Sequence, residues 1–169
     1  VLGVAFYSGI RVTQKDMHIT ADHQFDGSQL MDVKVMGTLG ISEENLTALR
    51  NLKNVQSVEG GHSVDVIAKK QGSDEEHAIK VMGKTDKLNQ ITIIEGKLPQ
   101  ASGECLVDEW YAQQNDLKTG DILNLSSGNE DDLKDTLKDT TYKITGIGSS
   151  SEYLSRSRGS TGIGTGTLS

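Results

Sequence analysis

Four histidines and a single cysteine are the side chains best suited to bind a metal ion or to act as a nucleophile. His18 and His23 lie five residues apart in a polar stretch, and neither this spacing nor the positions of His62 and His77 are typical of metal ligands. Surface histidines are therefore expected. Cys105 is followed by two apolar residues, which favours a buried structural thiol. A hydrolase that uses Cys105 remains an alternative, and it would need a histidine beside an exposed, acidified thiol.

Other sequence patterns that carry catalysis are weak or absent. The chain has no Gly-x-Ser-x-Gly nucleophile elbow, and the glycine-rich residues 159–166 include no lysine that could contact a phosphate. Residues 45–47 match a glycosylation sequon but fall in an expected helix. The sequence therefore predicts a domain that is not an enzyme and has no catalytic residue, cofactor or metal.

Composition sets further bounds on function. The length of 169 residues is typical of one domain, and 17 Lys and Arg against 24 Asp and Glu give a net charge of −7. With this charge, and with one Trp, four Tyr and two Phe, the chain is a poor partner for nucleic acid. A single cysteine forms no internal disulfide, which fits both the cytosol and a bacterial surface.

The two ends of the chain differ from its middle. Residues 1–10 are apolar and charge begins at Arg11, so this segment is expected to be either a buried strand or helix or the last turns of a membrane helix. No window reaches the ~20 consecutive apolar residues of a complete span. Residues 155–169 are rich in Gly, Ser and Thr and predict no regular element.

Alternating apolar and polar residues predict the strands of the first half. Residues 30–36 are expected to form a half-buried strand, followed by a helix that Ser42 caps. Residues 62–70 and 77–84 are predicted to form a β-hairpin. The pair Gly60–Gly61 interrupts an extended stretch and indicates a bulge or a bend. This half therefore predicts a strand–helix–strand unit followed by a hairpin strand.

The second half predicts short strands near residues 91–94, 104–107, 122–125 and 142–146, with a short helix near 110–115. Strands dominate the chain, and they do not alternate regularly with helices. The expected fold class is therefore α+β.

One block of the second half resembles a known family. Its residues are Gly96, Pro99 and Glu104, followed after a short helix by Gly120 and Asp121. The order is a Gly-basic-x-Pro turn, a glutamate before an apolar strand, and a Leu-x-x-Gly-Asp turn before another strand. It is similar to the MacB-like core domain of FtsX-like ABC transporter permeases. The apolar N-terminal residues resemble the outer end of the first membrane helix in a branch with large extracellular domains.

The resemblance implies a porter-like strand–helix–strand subdomain with an inserted, mainly β second subdomain. Residues 1–12 would be the end of the first transmembrane helix, or a membrane-proximal stub. Residues 13–85 would form the first part of the porter-like subdomain with its hairpin, and residues 86–150 the inserted subdomain. Residues 151–169 would be a return segment of a truncated chain. The residues of the block quoted above would then have structural roles.

The resemblance also implies a function. The chain would be the extracytoplasmic domain of a permease subunit in a bacterial cell membrane, on the extracellular or periplasmic side. It would couple ATP-driven motion to export or extraction of a substrate, or to signalling. Its partners would be a cytoplasmic ABC ATPase subunit, a second permease subunit in a dimer, and the exported substrate or an extracytoplasmic protein. ATP hydrolysis would belong to the ATPase subunit, and Gly60 and Gly61 are candidate hinge residues.

Two alternatives remain open on the residues alone. The first is a receptor module of such a transporter, which would present a concave apolar pocket with convergent polar groups. The second is a soluble α+β domain with another role.

Overall fold

The computed structural model describes residues 2–38, 40–128, 133, 136–153, 159–164 and 168. Within this part of the chain the elements are, in order, α1 (Leu2–Gly27), α2 (Glu43–Arg50), β1 (Ser63–Lys70), β2 (Glu76–Met82), β3 (Ile91–Gly96), β4 (Glu104–Asp108), α3 (Glu109–Gln114), β5 (Ile122–Ser126) and β6 (Thr141–Ser150). The chain is a mixed protein of strands and helices, as the α+β prediction requires.

All six strands join one sheet. Five of them follow the order β2-β1-β5-β6-β3, and the sixth, β4, joins the sheet by pairing with β6. The β4–β6 pair is parallel and the other four pairs are antiparallel. The hairpin predicted from residues 62–70 and 77–84 is confirmed as β1–β2. Because β1 pairs with β5, the sheet takes strands from both sides of the boundary expected at residues 85 and 86.

The main core lies on one face of the sheet, which we call the core face. Val66 and Ala68 of β1 are fully buried there, as is Ile144 of β6, and Leu125 of β5 lies between them. Helix α3 adds Tyr111 to this cluster. The alternation that predicted these strands therefore also identified the buried face correctly.

The opposite face of the hairpin is covered by residues 159–164. Gly164 lies so close to the sheet that a Cβ on it would be 2.9 Å from Ile67 Cδ1 and 3.4 Å from Ala78 Cβ. Burial acts to raise the pKa of Asp65, but hydrogen bonds from Lys80 and, more weakly, from Thr161 of this segment hold that pKa below its ordinary value. No regular element was predicted for this segment, yet it packs on the sheet.

Both short helices begin at capped residues. The side chain of Ser42 accepts a hydrogen bond from the Asn45 amide, which confirms the predicted start of α2. The Asp108 carboxylate accepts hydrogen bonds from the amides of Trp110 and Tyr111 and so begins α3 directly at the end of β4. Local sequence therefore fixes both helix starts.

The strand predicted at residues 30–36 is wrong. These residues belong to no ladder of the described strands, and Val33, Val35 and Met36 are 76%, 56% and 82% exposed. The physical reason is that a strand needs a partner edge, and no described strand lies beside this segment. The predicted strand–helix–strand unit is reduced to α2 and β1.

Helix α1 extends over 26 residues, well beyond the ten apolar residues that suggested an N-terminal element. From Thr13 to Gln24 its side chains are exposed except for the half-buried Ala21. The helix ends where Leu30 and Ser28 donate backbone hydrogen bonds back to Phe25 and Gln24. The polar residues 13–24 of α1 therefore lead toward the sheet with most of their side chains in solvent.

Candidate functional site

The block that carries the family resemblance folds around the middle of β6. Gly96 has a φ of +74°, and its successor Lys97 donates a backbone hydrogen bond of 2.9 Å to Thr145. Gly146 of β6 lies directly opposite Gly96, and a Cβ on Gly146 would lie 2.5 Å from the Lys97 carbonyl oxygen. Only glycine permits this approach, because any side chain would push the two backbones apart.

Glu104 closes the turn that contains Pro99. Its Oε2 accepts hydrogen bonds from the backbone amides of Gln100, at 2.8 Å, and Ala101, at 3.2 Å. The Gln100 hydrogen bond is the largest cause that holds the pKa of Glu104 below its ordinary value, and the Ala101 bond adds to it. The carboxylate therefore has a structural role in the turn between β3 and β4.

Gly120 and Asp121 form a second turn against the same strand. The Gly120 amide donates to the Ile144 carbonyl at 2.8 Å, and the Ile144 amide donates to the Asp121 carbonyl at 2.8 Å. The Asp121 carboxylate accepts from the Lys118 amide and pairs with Lys70 of β1 at 2.8 Å. The hydrogen bond from Lys70 is the largest cause of the lowered pKa of Asp121.

The two turns also contact each other, because the Thr119 hydroxyl donates a 2.7 Å hydrogen bond to Glu95. Both turns thus bond to residues 143–146 of β6, where Lys143 donates its amide to Gly103. We call this arrangement the β6 brace; it consists of residues 95–104, 118–121 and 143–146. The five residues singled out by the family resemblance lie in the β6 brace, and their role there is to form its turns and hold them against β6.

The two candidate hinge glycines lie outside any strand, just before β1 begins at Ser63. The bulge or bend predicted at these glycines therefore falls in the irregular segment that leads into β1. A Cβ on Gly60 would lie 3.0 Å from Leu46 Cδ1 of α2, whereas Gly61 has no atom within 4 Å of that position. Gly60 thus packs closely on α2, and Gly61 has open space around it.

A cleft of about 530 Å³ opens beside the core face. It lies between the two halves of the sheet, because β1 pairs with β5 only over Ile67–Lys70 and β5 pairs with β6 only over Thr141–Lys143. Beyond these short ladders the β1–β2 hairpin and the β6 side of the sheet separate. Val64 and Val81 line one wall and Val107 lines the other.

The chemistry of the cleft is apolar with a few polar groups. Burial raises the pKa of Cys105 to about 11, which is the opposite of the change that activates a thiol nucleophile. Burial is also the main cause that raises the pKa of Tyr111 to about 12. Tyr111 also makes a T-shaped ring contact, with centroids 6.0 Å apart, with His77, which does not line the cleft. The cleft is thus suited to bind an apolar group and offers no activated cysteine.

Sequence reasoning missed this cleft because it depends on contacts between distant strands. At its rim the hydroxyl of Tyr153, after β6, donates to the sulfur of Met82, at the end of β2. Seventy-one residues separate these two positions, and no local pattern connects them. The sequence carried only the alternation that places Val64 and Val81 on the apolar face of their strands; that both remain half-buried is seen only in the structure.

The histidines of α1 take no part in either feature. His18 and His23 are exposed on the helix, as predicted. Over the described ranges, no three residues among His, Cys, Asp and Glu are grouped so as to hold a metal ion. Nor does any helix in the part that the structure describes combine the length and apolarity needed to cross a bilayer.

Comparisons with protein-family models, with curated proteins and with solved structures find no match for this chain.

Proposed function

We propose that the chain is the extracytoplasmic domain of an FtsX-like ABC transporter permease subunit, of the MacB-like kind. The observation that carries the proposal is α1. This long helix has an apolar N-terminal sequence and a polar C-terminal half, and that half runs into the sheet with its side chains exposed. Such a helix is suited to join a folded body to a bilayer and to transmit movement between them.

The junction between α1 and the sheet is firmly bonded. The amides of Asn89 and Gln90, just before β3, donate to the carbonyls of Gln29 and Ser28 at 2.9 and 2.7 Å. The Asn89 side chain accepts in return from the Met31 amide at 3.0 Å. A displacement of α1 along its axis would therefore pull directly on the start of β3.

The β6 brace supports a mechanical role for the body. Strand β3 is paired with β6, and the brace connects that pair to β5 through Asp121 and to β1 through Lys70. Force applied at the start of β3 would be carried across the sheet, since hydrogen-bonded strands resist shear together. In this proposal α2 and β1 belong to a porter-like subdomain, and residues 86–150 form the inserted, mainly β subdomain.

The proposed partners follow from the same scheme. A cytoplasmic ABC ATPase subunit would supply the motion, a second permease subunit would complete the dimer, and the body would act on an exported substrate or an extracytoplasmic protein. The domain would lie on the extracellular or periplasmic side of a bacterial cell membrane. Gly60 and Gly61 would act as hinges that set the angle between the two subdomains.

The coupling can be tested in the full-length protein purified from bacterial membranes in mild detergent. The proposal expects ATP hydrolysis to copurify with it, and expects Gly61→Ala to weaken substrate transport per ATP without lowering the yield of folded protein. Gly162→Ala is the matched control, because a Cβ there also meets no atom within 4 Å. Loss of ATPase association, or equal effects of the two variants, would contradict the proposal.

The cleft favours a second candidate function, a ligand-binding module of such a transporter. Its apolar walls and its volume are typical of a small-molecule site. Binding of the apolar dye 1-anilinonaphthalene-8-sulfonate to folded protein, and its loss in Val81→Lys, would support this role. A dye that binds wild type and variant alike would argue against it.

A further inference from the structure

Residues 30–36, which we call the free segment, have the alternating sequence of a strand but pair with no described strand. Val33 and Val35 alternate with Asp32 and Lys34, and no hydrogen bond joins the backbone of residues 32–36 to another described residue. The Lys34 side chain forms a 3.0 Å ion pair with Glu152. An exposed, apolar, unpaired strand is a template for pairing with another chain.

We propose that the free segment pairs antiparallel with the free segment of a second copy of this chain, about a two-fold axis through Val33. In this register Asp32 of each copy lies directly opposite Lys34 of the other. Met31 lies opposite Val35, and Leu30 lies opposite Met36. The pairing therefore forms two opposite-charge contacts and sets the apolar side chains of the two copies beside one another across the strand pair.

The charge pattern selects this register over its neighbours. Shifting the axis to Lys34 places two lysines opposite each other, and shifting it to Asp32 places two aspartates opposite each other. An axis at Val35 leaves both charges opposite uncharged residues, and a parallel in-register pair places like charges side by side. Opposite charges across a strand pair stabilise it and like charges destabilise it. A symmetric interface is also the commonest form of self-association.

A cysteine on the axis tests the register. Directly opposite Cα atoms in an antiparallel pair are about 4.5–5.5 Å apart, which is within disulfide range. Val33→Cys in the full-length protein is expected to give a disulfide-linked dimer under mild oxidation. Val35→Cys is the matched control, since its two copies would be about 13 Å apart along the ribbon. Wild type should give no dimer through Cys105, whose thiol burial keeps protonated.

Charge reversal tests the contacts. In the Val33→Cys background, Asp32→Lys and Lys34→Asp should each lower the dimer yield by roughly fivefold, and the double reversal should restore it. Glu152→Gln controls for loss of the internal ion pair and should leave the yield unchanged. In the cysteine experiment, the inference is overturned if Val33→Cys forms no dimer or if Val35→Cys forms as much dimer as Val33→Cys. In the charge experiment, it is overturned if the double reversal gives no more dimer than the single changes or if Glu152→Gln alone lowers the yield.

The pairing rests on the free segment alone and does not depend on the proposed transport function. If the protein forms the Val33-centred dimer but has no associated ATPase, the pairing is supported and the transport proposal is contradicted. If the protein is a transporter but its free segments do not crosslink, the transport proposal is supported and the pairing is contradicted.

Discussion

Replacing Gly146 by alanine tests whether the β6 brace holds the sheet together. A Cβ on Gly146 would lie 2.5 Å from the Lys97 carbonyl oxygen and 3.1 Å from the Lys97 nitrogen. Because these neighbours are backbone atoms, no side-chain rotation relieves the contact. The turn after β3 would have to move away, and the 2.9 Å hydrogen bond from the Lys97 amide to Thr145 would lengthen or break.

The expected loss follows from three effects. Overpacking of this kind costs about 1–3 kcal/mol, and the lost hydrogen bond costs about 1 kcal/mol. The smaller conformational freedom of alanine in the unfolded chain returns about 0.4–1 kcal/mol. Gly146→Ala should therefore lower the free energy of unfolding by about 2 kcal/mol. For a chain of this size that is a fall in Tm of roughly 4–8 °C.

Thermal unfolding followed by far-UV circular dichroism measures the change, with Gly61→Ala as the matched control. Gly61 has no atom within 4 Å of an added Cβ, so its replacement should leave Tm unchanged or raise it slightly. The reasoning is refuted if Gly146→Ala melts within about 1 °C of wild type, or if Gly61→Ala falls as far.

Three further predictions concern single side chains. Ile144 is fully buried in the core, so Ile144→Ala should lower the free energy of unfolding in urea by about 2–5 kcal/mol, and a loss below about 1 kcal/mol would contradict the assigned core. The Lys70 hydrogen bond lowers the pKa of the Asp121 carboxyl in the folded protein, so the ionised carboxylate stabilises the fold. This stabilisation is complete when the pH lies above the ordinary pKa of aspartate, and it is lost as the pH falls through the lowered pKa of the folded protein. The urea midpoint of wild type should therefore fall between pH 5 and pH 3 more than that of Asp121→Asn, and equal falls would contradict the Lys70 pair. With its pKa at about 11, the Cys105 thiol should react with a maleimide at pH 7 at least ~100-fold more slowly in folded protein than in urea, and equal rates would contradict its burial.

Local sequence determined the elements whose signals lie within a few residues. Ser42 caps α2 and the alternation of β1 and β2 identified the hairpin, because capping and strand faces depend only on neighbouring residues. The Gly120–Asp121 turn was predicted for the same reason. Its partner on β6 was not, since the contact with Ile144 joins residues far apart in sequence.

Where the sequence reasoning failed, the missing information was a partner. Residues 30–36 have the alternation of a strand but pair with none of the described strands. Alternation indicates which face is apolar and does not supply the hydrogen-bonding edge. The cleft was missed for a related reason. It exists because two ladders are short, and the length of a ladder depends on register and twist between strands that sequence patterns do not encode.

The location of the body outside the cytoplasm is the central claim, and labelling of intact bacteria tests it most directly. Asp74 lies at the exposed tip of the β1–β2 hairpin, so Asp74→Cys presents a reactive thiol there, while the buried Cys105 of the parent protein provides the background. Full-length protein carrying Asp74→Cys is expected to react with a membrane-impermeant maleimide on intact cells, or on spheroplasts where an outer membrane is present. Reaction only after the cytoplasmic membrane is lysed would place the domain inside the cell and contradict the account.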